Sequence, residues 1–395
     1  MKLKLPVVFM AVLLVLSLMI SGQVDLKAQS IDVGEEPQQV EDEFIYEPEG
    51  ITVESWVEDL EVPWQLTFLP ESDRALVTER PGRVRLIEDG DLVDEYYADP
   101  PAVHTAEGGM MGMDHHPDFP AEPYIYIMYT YEADDGNLYS RITRLVDRGR
   151  YAEDEEVIFD GIPAAENHNG GRIMFGPDEK LYVTTGDVWD RQLSQEPDSL
   201  AGKILRINAD GTIPEDNPDP DSPVYSLGHR NPQGLAWNDR DHLFISDHGP
   251  SGEESLQAKD MVKVIQPGGN YGWPDRIGYF GDGEFLDPLV MWSEDAVPPA
   301  GAEIVGEDLF IATLRSRALI RISLEHHGGY DYEVTSIERW FGQDDYSGRY
   351  GRLRDVNLGP DGALYVMSSN RDGRGSPLPG DDKIYRIGIE ELQSN

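Results

Sequence analysis

The sequence predicts an all-β fold: a six-bladed β-propeller with four-stranded antiparallel blades. Three observations predict it. A two-strand unit recurs six times between residues 51 and 390. The chain is rich in turn formers, with 40 Gly and 28 Pro in 395 residues. Long stretches of helical periodicity are absent, and the best helical candidate, around Glu253 to Val264, is short.

The recurring unit is an apolar strand, a Pro/Asp/Gly turn, and a second strand of alternating apolar residues. It reads LTFLPESDRALVTERPGRV (66–84), MDHHPDFPAEPYIYIMYT (113–130) and IMFGPDEKLYVTTGD (173–187). It returns as LAWNDRDHLFISDHG (235–249), AEIVGEDLFIATL (302–314) and VNLGPDGALYVMSSN (356–370). Such a turn between apolar strands is hairpin chemistry. Spacings of roughly 40–65 residues suit propeller blades of about 55 residues each. A β-sandwich is the alternative all-β arrangement; the repeat count favours the propeller. In a propeller the loops at one end of the ring converge, so residues distant in sequence build one site.

The N-terminus carries a different signal. Lys2 and Lys4 precede an apolar run from Leu5 to Ile20, followed by Ser21 and Gly22. This is the pattern of a secretory signal peptide over residues 1–22. The run is short for a membrane span, although an uncleaved anchor is the alternative. Export to the periplasm or the extracellular space is therefore expected. Residues 31–50 hold eight acids and no base, so 23–50 reads as a solvated acidic linker. Residues 391–395 read as a tail.

The formal net charge is −43, from 75 acidic and 32 basic residues, and Arg supplies most of the positive charge. Such a surface repels phosphate backbones, so nucleic acid is not an expected partner. The imbalance suits a high-salt environment, where self-repulsion is screened over a few ångströms. There is no Cys, which excludes disulfides, thiolate metal sites and thiol nucleophiles.

Chemistry is expected beside the strand units. Glu166-Asn167-His168-Asn169-Gly170-Gly171-Arg172 combines a loop His, suited to act as a base, with glycines that permit close backbone approach. Further clusters are Gly228-His229-Arg230-Asn231-Pro232, Asp247-His248-Gly249-Pro250 and Gly268-Gly269-Asn270-Tyr271-Gly272-Trp273-Pro274. Arg315 follows the fifth unit, and Arg352 and Arg354 open the sixth. Arginine suits bidentate recognition of planar carboxylates. Arg352 and Arg354 are two residues apart, so on a strand they share a face. From the residues alone, the alternative is that these arginines form ordinary surface ion pairs with the abundant acids.

In this order the clusters resemble the soluble quinoprotein glucose dehydrogenases and the broader aldose sugar dehydrogenases. The resemblance covers nearly all of 51–390. It rests on PWQLTFLP, TERPGRV, EGGMMGMDHHPDF (107–119), NHNGGR (167–172) and GHRNPQGLAW (228–237). It continues through DHGP (247–250), GGNYGWP (268–274), RLRDV (352–356) and GPDGALYV (359–366).

The resemblance implies a six-bladed propeller holding pyrroloquinoline quinone (PQQ) and Ca²⁺, an aldose substrate oxidised at its anomeric carbon to the lactone, and an external electron acceptor, either a soluble redox protein or a quinone. Carried over motif by motif, it implies His168 as the general base. Arg230 and Asn231 would stand beside the quinone oxygens, Arg352 and Arg354 at the cofactor carboxylates, and the carbonyls of Gly249 and Pro250 on Ca²⁺. Three positions depart from the glucose-specific pattern: Glu107 replaces a Gln, Arg315 a Lys and His248 a Gln. They bear on the sugar and sit in the expected cofactor pocket. A carboxylate at position 107 would repel PQQ unless an arginine pairs with it. Glu253 and Glu254 are expected either near the metal or on a solvated face. Competing readings on the same fold are a Ca²⁺-dependent lactonase-type hydrolase and a non-catalytic binding propeller. Oligomeric state is left open.

Overall fold

The computed structural model describes residues 30–389. The signal-peptide reading of 1–22 and the tail at 391–395 lie outside the described residues.

Six antiparallel sheets form the six blades of the propeller. Their strands run through 63–98, 110–163, 173–227, 232–292, 299–340 and 353–389, here called blades 1 to 6. Each of the six sequence units supplies the first two strands of one blade. Pro63–Phe68 pairs with Arg74–Glu79, Ile173–Phe175 with Leu181–Thr184, and Leu353–Leu358 with Leu364–Ser368. These strands bury both faces because neighbouring sheets stack on either side, which explains near-continuous apolar runs such as YIYIMY in Tyr124–Glu132. Between blades 1 and 2, Leu76 and Leu86 pack with Met113, Ile125, Ile127 and Tyr129. Each such fully buried side chain is worth roughly 1.5–3 kcal/mol.

The ring closes through the N-terminal part of the chain. Ile51–Val57 pairs antiparallel with Ile384–Ile389 and becomes the outer strand of blade 6. The acidic stretch before it departs from the linker expectation. Asp32–Val33 pairs with Arg276–Ile277, and Asp42–Ile45 adds a fifth, parallel strand to blade 5 along Ile337–Trp340. Ile31 is buried with Met261, Trp273, Ile277 and Met291, while Asp42 accepts from Trp292 Nε1 and pairs with Arg339. Composition marked the exposed acids of this strap but not the few apolar residues that dock it.

The helical candidate at 253–264 is also corrected. It is a single 3₁₀ turn, Glu253–Ser255, followed by the strand Asp260–Ile265. The alternation of Met261, Val262, Val264 and Ile265 is a buried strand of blade 4.

Candidate functional site

The first strand of a blade begins at the edge of the sheet where the second strand ends. Loops that precede first strands or follow second strands therefore meet at one end of the ring. Glu107, His168, Arg230 and Arg352 precede first strands; His248, Arg315 and Arg374 follow second strands. They line one cleft of about 480 Å³, together with Ser251, Pro298, Leu314, Arg317 and Tyr346.

His168 is held from three sides. Its Nδ1 donates to Asp187 Oδ1 at 2.7 Å. A carboxylate partner requires the proton on Nδ1, which leaves Nε2 as the basic nitrogen. Asp187 Oδ2 accepts the indole N–H of Trp273 at 2.9 Å. The ring of Trp189 stacks on the imidazole at 4.9 Å and 6°. The main chain of His168 has φ 59°, in the left-handed region, and its amide donates to Glu107 Oε2 at 3.1 Å. A Cβ at Gly186 would stand 2.0 Å from the His168 carbonyl, so only glycine admits this approach.

Glu107 does pair with arginine. Arg374 Nη1 donates to its Oε1 at 2.7 Å, and Arg374 also reaches Asn167. Burial pushes the Glu107 carboxyl up, but Arg374, His248 and the His168 amide outweigh it and hold its pKa at about 2. Asn231 donates its side chain towards Glu107 and accepts the Gly170 amide at 3.0 Å, tying blade 3 to blade 4. The amides of Arg230 and Asn231 both donate to buried Asp247, which also takes Lys263 Nζ at 2.6 Å. Asp247 is held well below the usual carboxylate range: burial opposes this, and Lys263 beside it prevails.

The arginines divide into two kinds. Arg230 donates twice to Glu253 Oε1, and Arg352 donates twice to Asp372 Oδ2. Glu254 is exposed, pairs with Arg191 and accepts the Ile31 amide, whereas Glu253 is half-buried against Arg230. Arg315 and Arg317 make no ion pair among the described residues, although Arg315 lies over the Tyr346 ring at 5.1 Å. Arg354 is buried, donates to Gln233 Oε1 at 2.6 Å, and lines a smaller recess that shares Glu107 and Arg374 with the cleft. It therefore sits behind Arg352 rather than beside it in the cleft.

His248 donates from Nε2 to the Pro299 carbonyl at 2.9 Å, and burial lowers its pKa to about 3, so it is neutral near pH 7. The Gly249 amide donates to Asp260 Oδ1. The carbonyls of Gly249 and Pro250, both buried residues, accept no hydrogen bond among the described residues. No group of three or more His, Cys, Asp or Glu side chains among the described residues is arranged to hold a metal ion. Tyr271 and Trp273 are buried and do not line the cleft.

Sequence reasoning missed Asp187, Trp189, Arg317, Tyr346, Asp372 and Arg374. Asp187 stands just after the second strand of blade 3 and Asp247 at the end of that of blade 4, and each braces the functional loop that opens its own blade.

A propeller that gathers a carboxylate-backed histidine and an arginine-walled cleft at one end of its ring has the form of an enzyme for a polyanionic ligand. Residues 60–378 match the family model described as glucose/sorbosone dehydrogenase, and the chain belongs to that family. Solved structures agree. A candidate oxidoreductase (glucose dehydrogenase) of Thermus thermophilus is 46% identical, with a TM-score of 0.79 over 86% of this chain and 100% of that one. The PQQ-bound aldose sugar dehydrogenase of Streptomyces coelicolor is 36% identical, with a TM-score of 0.75 over 86% and 98%. The aldose sugar dehydrogenase YliI of Escherichia coli is 30% identical over 358 residues, 82% of this chain and 92% of its own.

Proposed function

We propose that the protein is a PQQ- and calcium-dependent dehydrogenase that oxidises an aldose at its anomeric carbon to the lactone. One observation carries the reading. In a chain with 75 acidic and 32 basic residues, the cleft is walled by five arginines and a single carboxylate, Glu107, which is itself paired. That donor set fits a planar cofactor bearing three carboxylates. When bound, PQQ supplies an ortho-quinone that accepts hydride from the sugar.

The chain's residues supply the rest. His168 Nε2 takes the proton from the anomeric hydroxyl, and Asp187 stabilises the imidazolium that results. Arg230 and Asn231 stabilise negative charge that develops beside them. Arg315, Arg352 and Arg354 hold carboxylates; each guanidinium has five donors, so the Asp372 and Gln233 contacts leave others available. The unengaged carbonyls of Gly249 and Pro250 are oxygen donors suited to Ca²⁺. Electrons leave to an external acceptor, a soluble redox protein or a quinone.

Titration tests the cofactor. PQQ added to the full chain in high salt, with and without Ca²⁺, is followed by absorbance and calorimetry. Saturable binding at one site per chain supports the reading. Absence of binding to folded protein overturns it.

A further inference from the structure

We infer that Arg80 and Arg354 form a two-arginine site for one small monoanionic group at the back of the cleft. Its ligand is a carboxylate of the cofactor or a free inorganic anion such as chloride. The carboxylate source rests on the function proposed above; the site itself does not.

Arg80 directly follows the second strand of blade 1, Arg74–Glu79. Its backbone is fixed: the amide donates to the Val62 carbonyl and its own carbonyl accepts the Met110 amide, each at 3.0 Å. A Cβ at Gly109 would stand 2.3 Å from that carbonyl, so the loop before blade 2 closes directly on it. Arg80 is 3% exposed, as is Arg354. Both line the recess of about 190 Å³ that adjoins the main cleft through Glu107 and Arg374.

Neither arginine has a carboxylate partner among the described residues. Arg80 donates from Nη1 to the Ala106 carbonyl at 2.7 Å, and Arg354 from Nη1 to Gln233 Oε1. No other donor of either group has an acceptor among the described residues, and the Nε atoms of both are buried without one. The two acids in the recess are committed elsewhere, Glu107 to Arg374 and Asp372 to Arg352. Burial and then the neighbouring Arg80 push the Arg354 guanidinium down to about 9.

Burying two like charges with no direct ion pair to either is costly, and Glu107 and Asp372, each bonded to another arginine, offset it only in part. The arrangement is relieved by an anion in the recess, accepting from the free edges of both guanidinium groups. Arg80 thereby becomes an anchoring residue that the family-derived set does not include.

The test is Arg80→Met in the full chain, with two measurements. PQQ affinity is titrated, and the melting temperature of cofactor-free protein is followed in chloride and in a salt of a bulky organic anion at equal ionic strength. If the cofactor supplies the anion, Arg80→Met weakens PQQ binding about 10- to 100-fold, the value of a charged hydrogen bond, while the cofactor-free protein melts at the same or a higher temperature. If chloride supplies it, the wild type shows a saturable chloride-specific rise in melting temperature that Arg80→Met lacks, with PQQ affinity unchanged. A fall in melting temperature with neither effect overturns the site and leaves Arg80 a structural clamp on Ala106. Failure of the wild type to bind PQQ sinks the cofactor reading alone, and the chloride measurement still decides the site. Should Arg80→Met not fold, Arg80→Gln carries the same two measurements.

Discussion

Asp187 Oδ1 lies 2.7 Å from His168 Nδ1, and its other oxygen holds the indole N–H of Trp273. One carboxylate thus fixes the tautomer of the imidazole and ties it to a buried loop of blade 4. His168→Ala should lower sugar oxidation about 10²–10⁴-fold and leave PQQ affinity unchanged. Asp187→Asn should lower kcat by less and displace the pH–rate profile. Steady-state kinetics with a PQQ titration check both; near-normal turnover of His168→Ala would remove the base from the scheme.

Arg352 should behave differently. Its removal leaves the His168–Asp187 pair intact but takes from the cleft wall the guanidinium donors that Asp372 does not engage, and leaves Asp372 without its partner. Arg352→Ala should weaken PQQ binding first, with turnover recovering at high PQQ concentration. Calorimetry and saturation kinetics separate the two effects.

The acidic strap should contribute to stability. Deleting residues up to 50 exposes Met261, Ile277 and Met291 and strips the fifth strand from blade 5. Thermal melting should fall by several degrees, at roughly 25 cal/mol for each Å² of apolar surface uncovered. An unchanged melting temperature would mean that the strap is solvated, as its composition suggests.

His229 gives a pH dependence with a definite sign. It is fully buried against Ser226 and Tyr271, and burial lowers its pKa to about 4. Between that value and the unfolded value near 6.5, only the unfolded chain takes up the proton. The stability from neutral His229 is therefore present above pH 6.5 and lost as pH falls towards 4, an effect on the order of 3 kcal/mol. His229→Gln should flatten that slope in denaturant melts; an unchanged slope assigns it to other groups.

Salt should stabilise the chain. At a net charge of −43, mutual repulsion is screened within about 3 Å at 1 M ionic strength. The melting temperature should rise steeply from 0.1 M to molar NaCl, and a flat response would contradict adaptation to high salt.

The six hairpins were legible because each blade repeats the same local chemistry, from LTFLPESDRALV to VNLGPDGALYV. His168, Arg230, Arg352 and Glu107 were legible because each opens a first strand beside a recognisable motif. The partners that define their chemistry were less so. Arg374, which neutralises Glu107, lies 267 residues away, and Asp372 reaches Arg352 from a Gly/Pro-rich loop whose composition marks a turn and not a partner. Such pairs exist only once the ring has closed. The strap at 31–45 was misread for a similar reason: Ile31, Phe44 and Ile45 acquire partners only on blades 4 and 5.

Reconstitution tests the central claim most directly. The full chain in high salt is supplied with PQQ and Ca²⁺, separately and together, and dye reduction is followed with a panel of aldoses. The account predicts turnover that requires both additions and an aldose with a free anomeric hydroxyl. Folded protein that binds PQQ yet oxidises no aldose under any of these conditions would contradict it.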